Sequence, residues 1–548
     1  MDRRTFMKAA GATGAAAAVT SVGVATAAEA EAANPIQVAK YKLLVPEIFK
    51  ALPDAPATNK AIVIGSGFGA AVTAYRLGQA GVQTAVLERG SRWPNDLNRN
   101  IFTTDANPDG RGFWHRTKFT GVSGLTNSFD DFGGVLDVTE FDGLDVWHGA
   151  AVGGGSIVYT GATIEPEERF FKHVFGLTGT FGDVGALYNE MHNTYYPMAL
   201  ANLGATPMPD KIYNSNAFTH SRTWDAQSAK AGYAPQVING IWNWDTVQKE
   251  IDGKSSPSCI MGASNLGNSN GAKQDLNYSY LKWAEATGKA KIYAGHQVTD
   301  IKRSGNLWAV TVQKIDPTGK VLSTRTLTAE KLFLGAGSIN TTELLLKAKA
   351  TGALPNLPSA IGKGWGTNGD AAIVRVLTLG GFTQGAASRS RILDETTTPG
   401  LPVTLENWYV PGLPVDLGMI GSLGMVLDDT RGSFTYDTTA KKLKLSWPGQ
   451  DAAKLAMRAV NNKIAKAAGV SVGFPPLAPD VNTTFTAHPL GGAVIGQASD
   501  NYGRVNGYPG LYVVDGAGIP GSTGTVNPTL TITALAERNI AKIRTTDF

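Results

Sequence analysis

Gly65, Gly67 and Gly69 stand at alternate positions, and Glu88 closes the next apolar run. Residues of these types at this spacing can hold a dinucleotide. Gly65 permits a tight turn and Gly67 lets the backbone approach a pyrophosphate. Gly69, beside Phe68 and followed by the small Ala70 and Ala71, lets a helix pack close to a strand. Free N–H groups at that helix N-terminus favour the negative diphosphate. Glu88 can accept hydrogen bonds from ribose hydroxyls. The elements that must position these groups are legible too. Ala61–Ile64 reads as a buried parallel strand, Ala70–Ala80 as a helix and Thr84–Leu87 as a second strand. A tight βα turn in some other doubly wound sheet would need the glycines but not the acid.

Further glycine-rich stretches return the chain to such a ligand. Gly153-Gly154-Gly155-Ser156, in the loop 149–156, has poor helix and strand propensity and suits backbone lying flat on a ligand. Gly335-Ala336-Gly337 ends an apolar strand that begins at Thr328, and Asp515-Gly516 ends another. Val298 lies on a strand read over Gln297–Ile301. All belong to the expected cofactor-binding set.

The bulk properties bound the rest. A chain of 548 residues is too long for one core, so two or more domains are expected. It is 43% hydrophobic with a net charge of +4, which argues against an electrostatic nucleic-acid partner. The single Cys259 excludes an intramolecular disulfide and any multi-cysteine zinc site, and reads as a buried apolar residue; no metal is expected. Residues 1–33 read as a twin-arginine export signal: Arg3-Arg4, an alanine-rich apolar stretch, then small residues suited to cleavage. Periodicity predicts helices over 184–196, 454–468 and 528–543. Residues 370–450 alternate like antiparallel strands, with a hairpin signal at Asp428–Gly432. His296, before a strand, reads as structural.

Several segments together resemble the glucose-methanol-choline flavin oxidoreductases. They are the glycine fingerprint, Glu88-Arg89-Gly90, Val152–Ser156, His488-Pro489-Leu490-Gly491-Gly492, Val513–Gly516 and Val526–Asn539. Arg431–Asp437 and Gly364-Trp365-Gly366-x-Asn368-Gly369 are similar to the actinobacterial cholesterol-oxidase branch, which holds FAD non-covalently. The resemblance implies an α/β fold: a Rossmann-like FAD-binding domain (57–100, 275–365 and 505–548) with an inserted substrate domain. That second domain (101–274 and 366–504) would rest on a mostly antiparallel sheet with helices, loop 149–156 and His488 reaching the flavin. It further implies FAD as cofactor, with Pro528 beside it, and His488 and Asn527 as the residues facing flavin and substrate. Some relatives attach FAD to a histidine near His148; the branch resembled here does not.

The resemblance also implies a carboxylate that moves protons on the steroid, and two residues compete for it. Counting back without gaps from Arg431 reaches Asp416. Glu406, in Leu405-Glu406-Asn407-Trp408, superficially resembles the family's segment but needs an insertion, and fits better as an acid on the preceding strand. The expected activity is oxidation of a 3β-hydroxysteroid to the ketone, with O₂ as acceptor and Δ5-to-Δ4 isomerisation in question. The alternative is oxidation or dehydrogenation of another apolar or terpenoid alcohol; a flavin-binding protein without turnover is a third reading. A monomer secreted by the twin-arginine route, with transient contact to a lipid surface, completes the expectation.

Overall fold

The computed structural model describes residues 34–120, 126–376, 384–411, 418–472 and 485–548. The apolar end of β1 (Thr58–Ile64) is wholly buried. It stops at Gly65, whose φ of +90° is one glycine adopts readily. A Cβ there would lie 2.3 Å from the Gly335 carbonyl oxygen. Helix α1 (Phe68–Gln79) starts on Gly67 with no side-chain cap, so its first N–H groups remain available to a ligand. β2 (Thr84–Leu87) pairs parallel with β1, Leu87 opposite Ile64. The chain then forms the hairpin β3 (Leu136–Phe141) and β4 (Leu144–Gly149).

The first sheet is completed much later in sequence. β5 (Ala290–Tyr293) pairs parallel with β2. β6 (His296–Ser304), β7 (Leu307–Ile315) and β8 (Val321–Leu334) form an antiparallel meander. β8 is long enough to serve two neighbourhoods: it pairs with β7 over 321–329 and parallel with β1 over 328–334. The order is β5-β2-β1-β8-β7-β6. α2 (Ser338–Ala350) follows β8.

The second sheet holds β9 (Ala371–Val376), β10 (Ser390–Asp394), β11 (Val403–Trp408) and β12 (Met419–Val426), in the order β9-β12-β11-β10, with Gln236–Val237 on the far edge. Every pairing in it is antiparallel. β11 and β12 are buried at every position, so both faces are covered. Val403 and Leu405 share an apolar cluster with Met457, Val460 and Ile464 of helix α3 (Asp451–Ala468). Side chains alternate along a strand, so Thr404, Glu406 and Trp408 point the other way.

Asp428–Gly432 is not the hairpin turn expected from its residues. Both edges of β12 are occupied, by β9 and β11, so the segment leads out of the sheet. The hairpin is the next pair, β13 (Ser433–Asp437) and β14 (Lys442–Ser446). The helix expected over 184–196 runs on through a π-helical turn, Met191–Tyr195, to Leu203; Pro197 withholds an N–H there. β15 (Phe485–Thr486) pairs with β4, and β16 (Leu511–Val513) with β8. α4 (Thr529–Thr546) closes the chain, its Ala536 and Ile540 clustering with Ala70, Ala71 and Ala74 of α1. No helix among the described residues is long and apolar enough to cross a membrane.

Candidate active site

A cavity of about 750 Å³ runs along the strand ends of the first sheet. Its wall includes Gly65, Gly67, Phe68, Gly69, Glu88, Gly154, Gly155, Val298, Gly335, Ala336, Gly337, Asp515, Gly516, Asn527, Pro528 and His488. Gly153 and Ser156 stand behind it. The Ser156 hydroxyl donates to the Gly153 carbonyl at 2.7 Å and accepts from the Leu276 N–H at 3.2 Å, which shapes the loop. His296, expected as structural, also lines the cavity, its Nδ1 2.9 Å from the Ala294 carbonyl.

The near end fits a dinucleotide. A Cβ built on Gly67 or Gly155 would meet nothing within 4 Å, so these glycines leave open a cradle that side chains would fill. The cradle lies at the uncapped start of α1, where the dipole favours an anion. Glu88 accepts from the Ser66 hydroxyl at 2.7 Å and the Gly90 N–H at 2.9 Å, and burial raises its pKa. Each carboxylate oxygen keeps a lone pair for a ribose hydroxyl. Asp515 accepts from the Gly337 N–H at 2.8 Å and the Thr341 hydroxyl at 2.6 Å, clamping two strand ends together. His148 is held at both ring nitrogens: Nε2 lies 2.9 Å from the Thr139 hydroxyl, and Nδ1 lies 3.4 Å from Arg89, itself paired with Asp137. Burial pushes the His148 imidazole down to about 4.

The far end carries the groups that can move protons. His488 Nδ1 lies 2.6 Å from Asp370 Oδ1, and Asp370 is fully buried. Asp370 Oδ2 accepts from the Ala487 N–H at 3.0 Å and the Thr486 hydroxyl at 3.1 Å. Asn527 Nδ2 lies 3.4 Å from Glu406 Oε2. One short turn serves both pairs. Asn368 donates to the Val526 carbonyl at 2.8 Å and accepts from the Thr523 N–H at 2.9 Å, while Asp370, two residues on, holds His488. Thr525 is buried with φ at +66°, a conformation unfavourable for a β-branched residue. Those contacts hold it there, and the strain sits two residues before Asn527. Trp147 and Phe485 stack at 4.6 Å and line the cavity with Trp408 and Leu423, so the wall around these groups is apolar.

Glu406 has no exposed surface, and burial pushes its carboxyl from the ordinary 4.5 up to about 7, against a lowering pull from His488. The folded protein therefore keeps a proton on Glu406 that the unfolded chain releases above pH 4.5. Stability falls as pH rises through that window to about 7. Glu406→Gln is expected to remove this decline, worth roughly 3 kcal/mol. Denaturant unfolding of both proteins at the two ends of the window checks it; parallel losses in wild type and variant would refute it. Asp416 lies outside the described residues.

Sequence reading missed Asp370, although it directly follows the Asn368-Gly369 pair that the resemblance had picked out. It also missed Lys273, whose ammonium donates to the carbonyls of Ile157, Tyr159 and Ser264 at 2.7–2.8 Å. That buried lysine fastens the end of the glycine loop to the 264–273 segment. No periodicity marks it, since it lies in a loop.

The GMC oxidoreductase family matches residues 133–364 and 432–536, and a TAT (twin-arginine translocation) pathway signal sequence matches 1–20. The chain belongs to the GMC oxidoreductases; it is an alcohol oxidoreductase whose family implies a flavin, and it carries a signal for twin-arginine export. It is 29% identical to a cholesterol oxidase of Mycobacterium tuberculosis over 554 residues, covering 87% of this chain and 89% of the relative. It is 27% identical to a cholesterol oxidase of Acinetobacter baumannii, covering 88% and 94%. An FAD-dependent oxidoreductase from Chaetomium thermophilum shares the fold, with a TM-score of 0.60 at 15% identity over 89% of this chain and 99% of the other.

Proposed function

We propose that this protein oxidises a 3β-hydroxysteroid, or a similarly apolar secondary alcohol, to the ketone outside the cytoplasm, using non-covalently held FAD and O₂. The observation that carries the reading is the meeting of His488 and Asn527 at the apolar end of a cavity whose other end fits a dinucleotide, with Glu406 buried behind Asn527 at 3.4 Å. Residues 57–100, 275–365 and 505–548 hold the FAD; 101–274 and 366–504 receive the alcohol. The relatives named as cholesterol oxidases support the sterol class. Engagement of both His148 ring nitrogens supports non-covalent FAD.

When bound, the flavin supplies an acceptor for the hydride that leaves the alcohol carbon. The protein's own residues do the rest. Gly65–Gly69, Gly154 and Gly155 receive the diphosphate, and Glu88 a ribose. The apolar wall of Trp147, Trp408, Leu423 and Phe485 seats the hydrocarbon and excludes water, which strengthens each polar contact inside. His488 Nε2 takes the hydroxyl proton, and the Asn527 amide steadies the oxygen. Glu406, poised near neutrality by burial, is suited to carry a proton between two carbons of the steroid. Its place beside Asn527 favours it over Asp416 for that step.

An anaerobic flavin-reduction screen across sterols, terpenoid alcohols and sugars tests the reading. Bleaching by a sterol is expected, with FAD recovered free after acid precipitation. Flavin that stays with the chain would refute non-covalent binding, and bleaching by sugars alone would refute the sterol class. With a Δ5 sterol, Glu406→Gln should lower the ratio of conjugated to unconjugated ketone by roughly 10²-fold or more. A ratio unchanged there but collapsed in Asp416→Asn would transfer the proton-carrying role to Asp416.

A further inference from the structure

The proposed reaction asks a neutral imidazole to present a lone pair to the cavity, and a histidine offers one only on the nitrogen that lacks a proton. We infer that Asp370 is a positioning residue that fixes His488 in its Nδ1–H form, so that Nε2 faces the alcohol as acceptor. This rests on the alcohol-oxidising reading and deepens it.

Three observations carry it. The Asp370–His488 contact, at 2.6 Å, is shorter than an ordinary N–H···O hydrogen bond, and Asp370 has no exposed surface. The other carboxylate oxygen is taken by the Ala487 N–H and the Thr486 hydroxyl, both donors, so every neighbour treats Asp370 as an acceptor. Nδ1 must then be the donor. Among the described residues Nε2 has no hydrogen-bond partner, and His488 lines the cavity.

A second carboxyl, Glu406, interacts with His488 from β11, with Arg391 of β10 behind it. It does not duplicate Asp370. Burial pushes Glu406 up to about 7, so near neutrality it carries only part of its charge, and no hydrogen bond joins it to the ring. Once Nε2 has accepted the hydroxyl proton, the carboxylate directly hydrogen-bonded to the ring is Asp370. The proton passes from the alcohol oxygen to Nε2 while the Nδ1 proton stays in place. The same logic operates where a buried aspartate holds a histidine base in serine proteases, and there an Asp-to-Asn change costs about 10⁴-fold through the wrong tautomer.

The test uses the holoenzyme labelled with ¹⁵N in histidine, the His488 signals being assigned by their loss in His488→Gln. Wild type is expected to show Nδ1 protonated and Nε2 bare in the neutral ring. In Asp370→Asn the amide can donate, and the proton should move to Nε2. The anaerobic flavin-reduction rate should fall by about 10²–10⁴-fold while KM changes little and FAD stays bound. Asp370→Glu, which keeps the acceptor, should retain the Nδ1–H signal and recover part of the rate. A wild-type spectrum dominated by Nε2–H overturns the inference even if no variant folds. So does an Asp370→Asn enzyme that is slow yet still Nδ1–H, because the residue is then merely structural. The tautomer readout needs no substrate. A wild type that no alcohol reduces would thus refute the proposed function and leave the Asp370–His488 arrangement to be judged by its spectrum.

Discussion

Replacing His488 by Gln is expected to slow anaerobic flavin reduction by about 10²–10⁴-fold, with FAD still bound. Gln keeps an N–H for Asp370 to meet, so no buried carboxylate is left without a partner, and loss of fold is not the trivial explanation. It cannot accept and hold the hydroxyl proton. The residues proposed to hold the cofactor, Gly67, Gly155 and Asp515, lie elsewhere in the wall, so flavin content should match wild type. Stopped-flow reduction and the flavin-to-protein absorbance ratio decide the matter. A near-normal reduction rate would remove His488 from the chemistry.

Two glycines in one turn of sequence should fail in opposite ways. A Cβ on Gly69 would lie 1.6 Å from the Val514 carbonyl oxygen, a backbone atom that cannot rotate aside. Gly69→Ala is expected to cost roughly 3 kcal/mol or more of folding stability and to push α1 off the strand it packs on. A Cβ on Gly67 meets nothing within 4 Å, and φ there is −71°, which any residue adopts. Gly67→Ala should leave thermal unfolding of the flavin-free protein unchanged and weaken FAD binding roughly ten- to hundredfold, by filling the cradle. Thermal melts and flavin titration separate the two. Unchanged FAD affinity in Gly67→Ala would mean that the cradle is not where the cofactor lies.

The strand, turn and helix from Ala61 to Gln79 were readable because short-range rules govern them: an apolar run, glycines where the backbone must approach, small residues on the packed face. The far end of the site was less readable. Counting back without gaps from Arg431 pointed to Asp416, which lies outside the described residues, and loop lengths between strands follow no period that would check such a count. The alternation on β11 that turns Glu406 away from the α3 side along with Trp408 is visible only once the sheet is assembled. Asp370 and His488 lie 118 positions apart, and nothing local in either segment announces the other. Asp428–Gly432 misled because turn-forming residues report that a chain bends, not which strands it joins.

The long strand β8 and the late arrival of β16 and α4 have a consequence for when this protein comes into being. Gly65 and Gly69, on either side of the cradle, press against Gly335 and Val514, and Asn527 enters the wall only after those. A nascent chain still on the ribosome has the first half of the pocket and lacks its closure. A flavin held in the proposed cradle would therefore wait for a finished polypeptide, which still carries its twin-arginine signal. Since that route moves folded cargo, such a flavin would be enclosed in the cytoplasm before departure. An enzyme that works outside the cell would thus leave with a prosthetic group drawn entirely from the pool within.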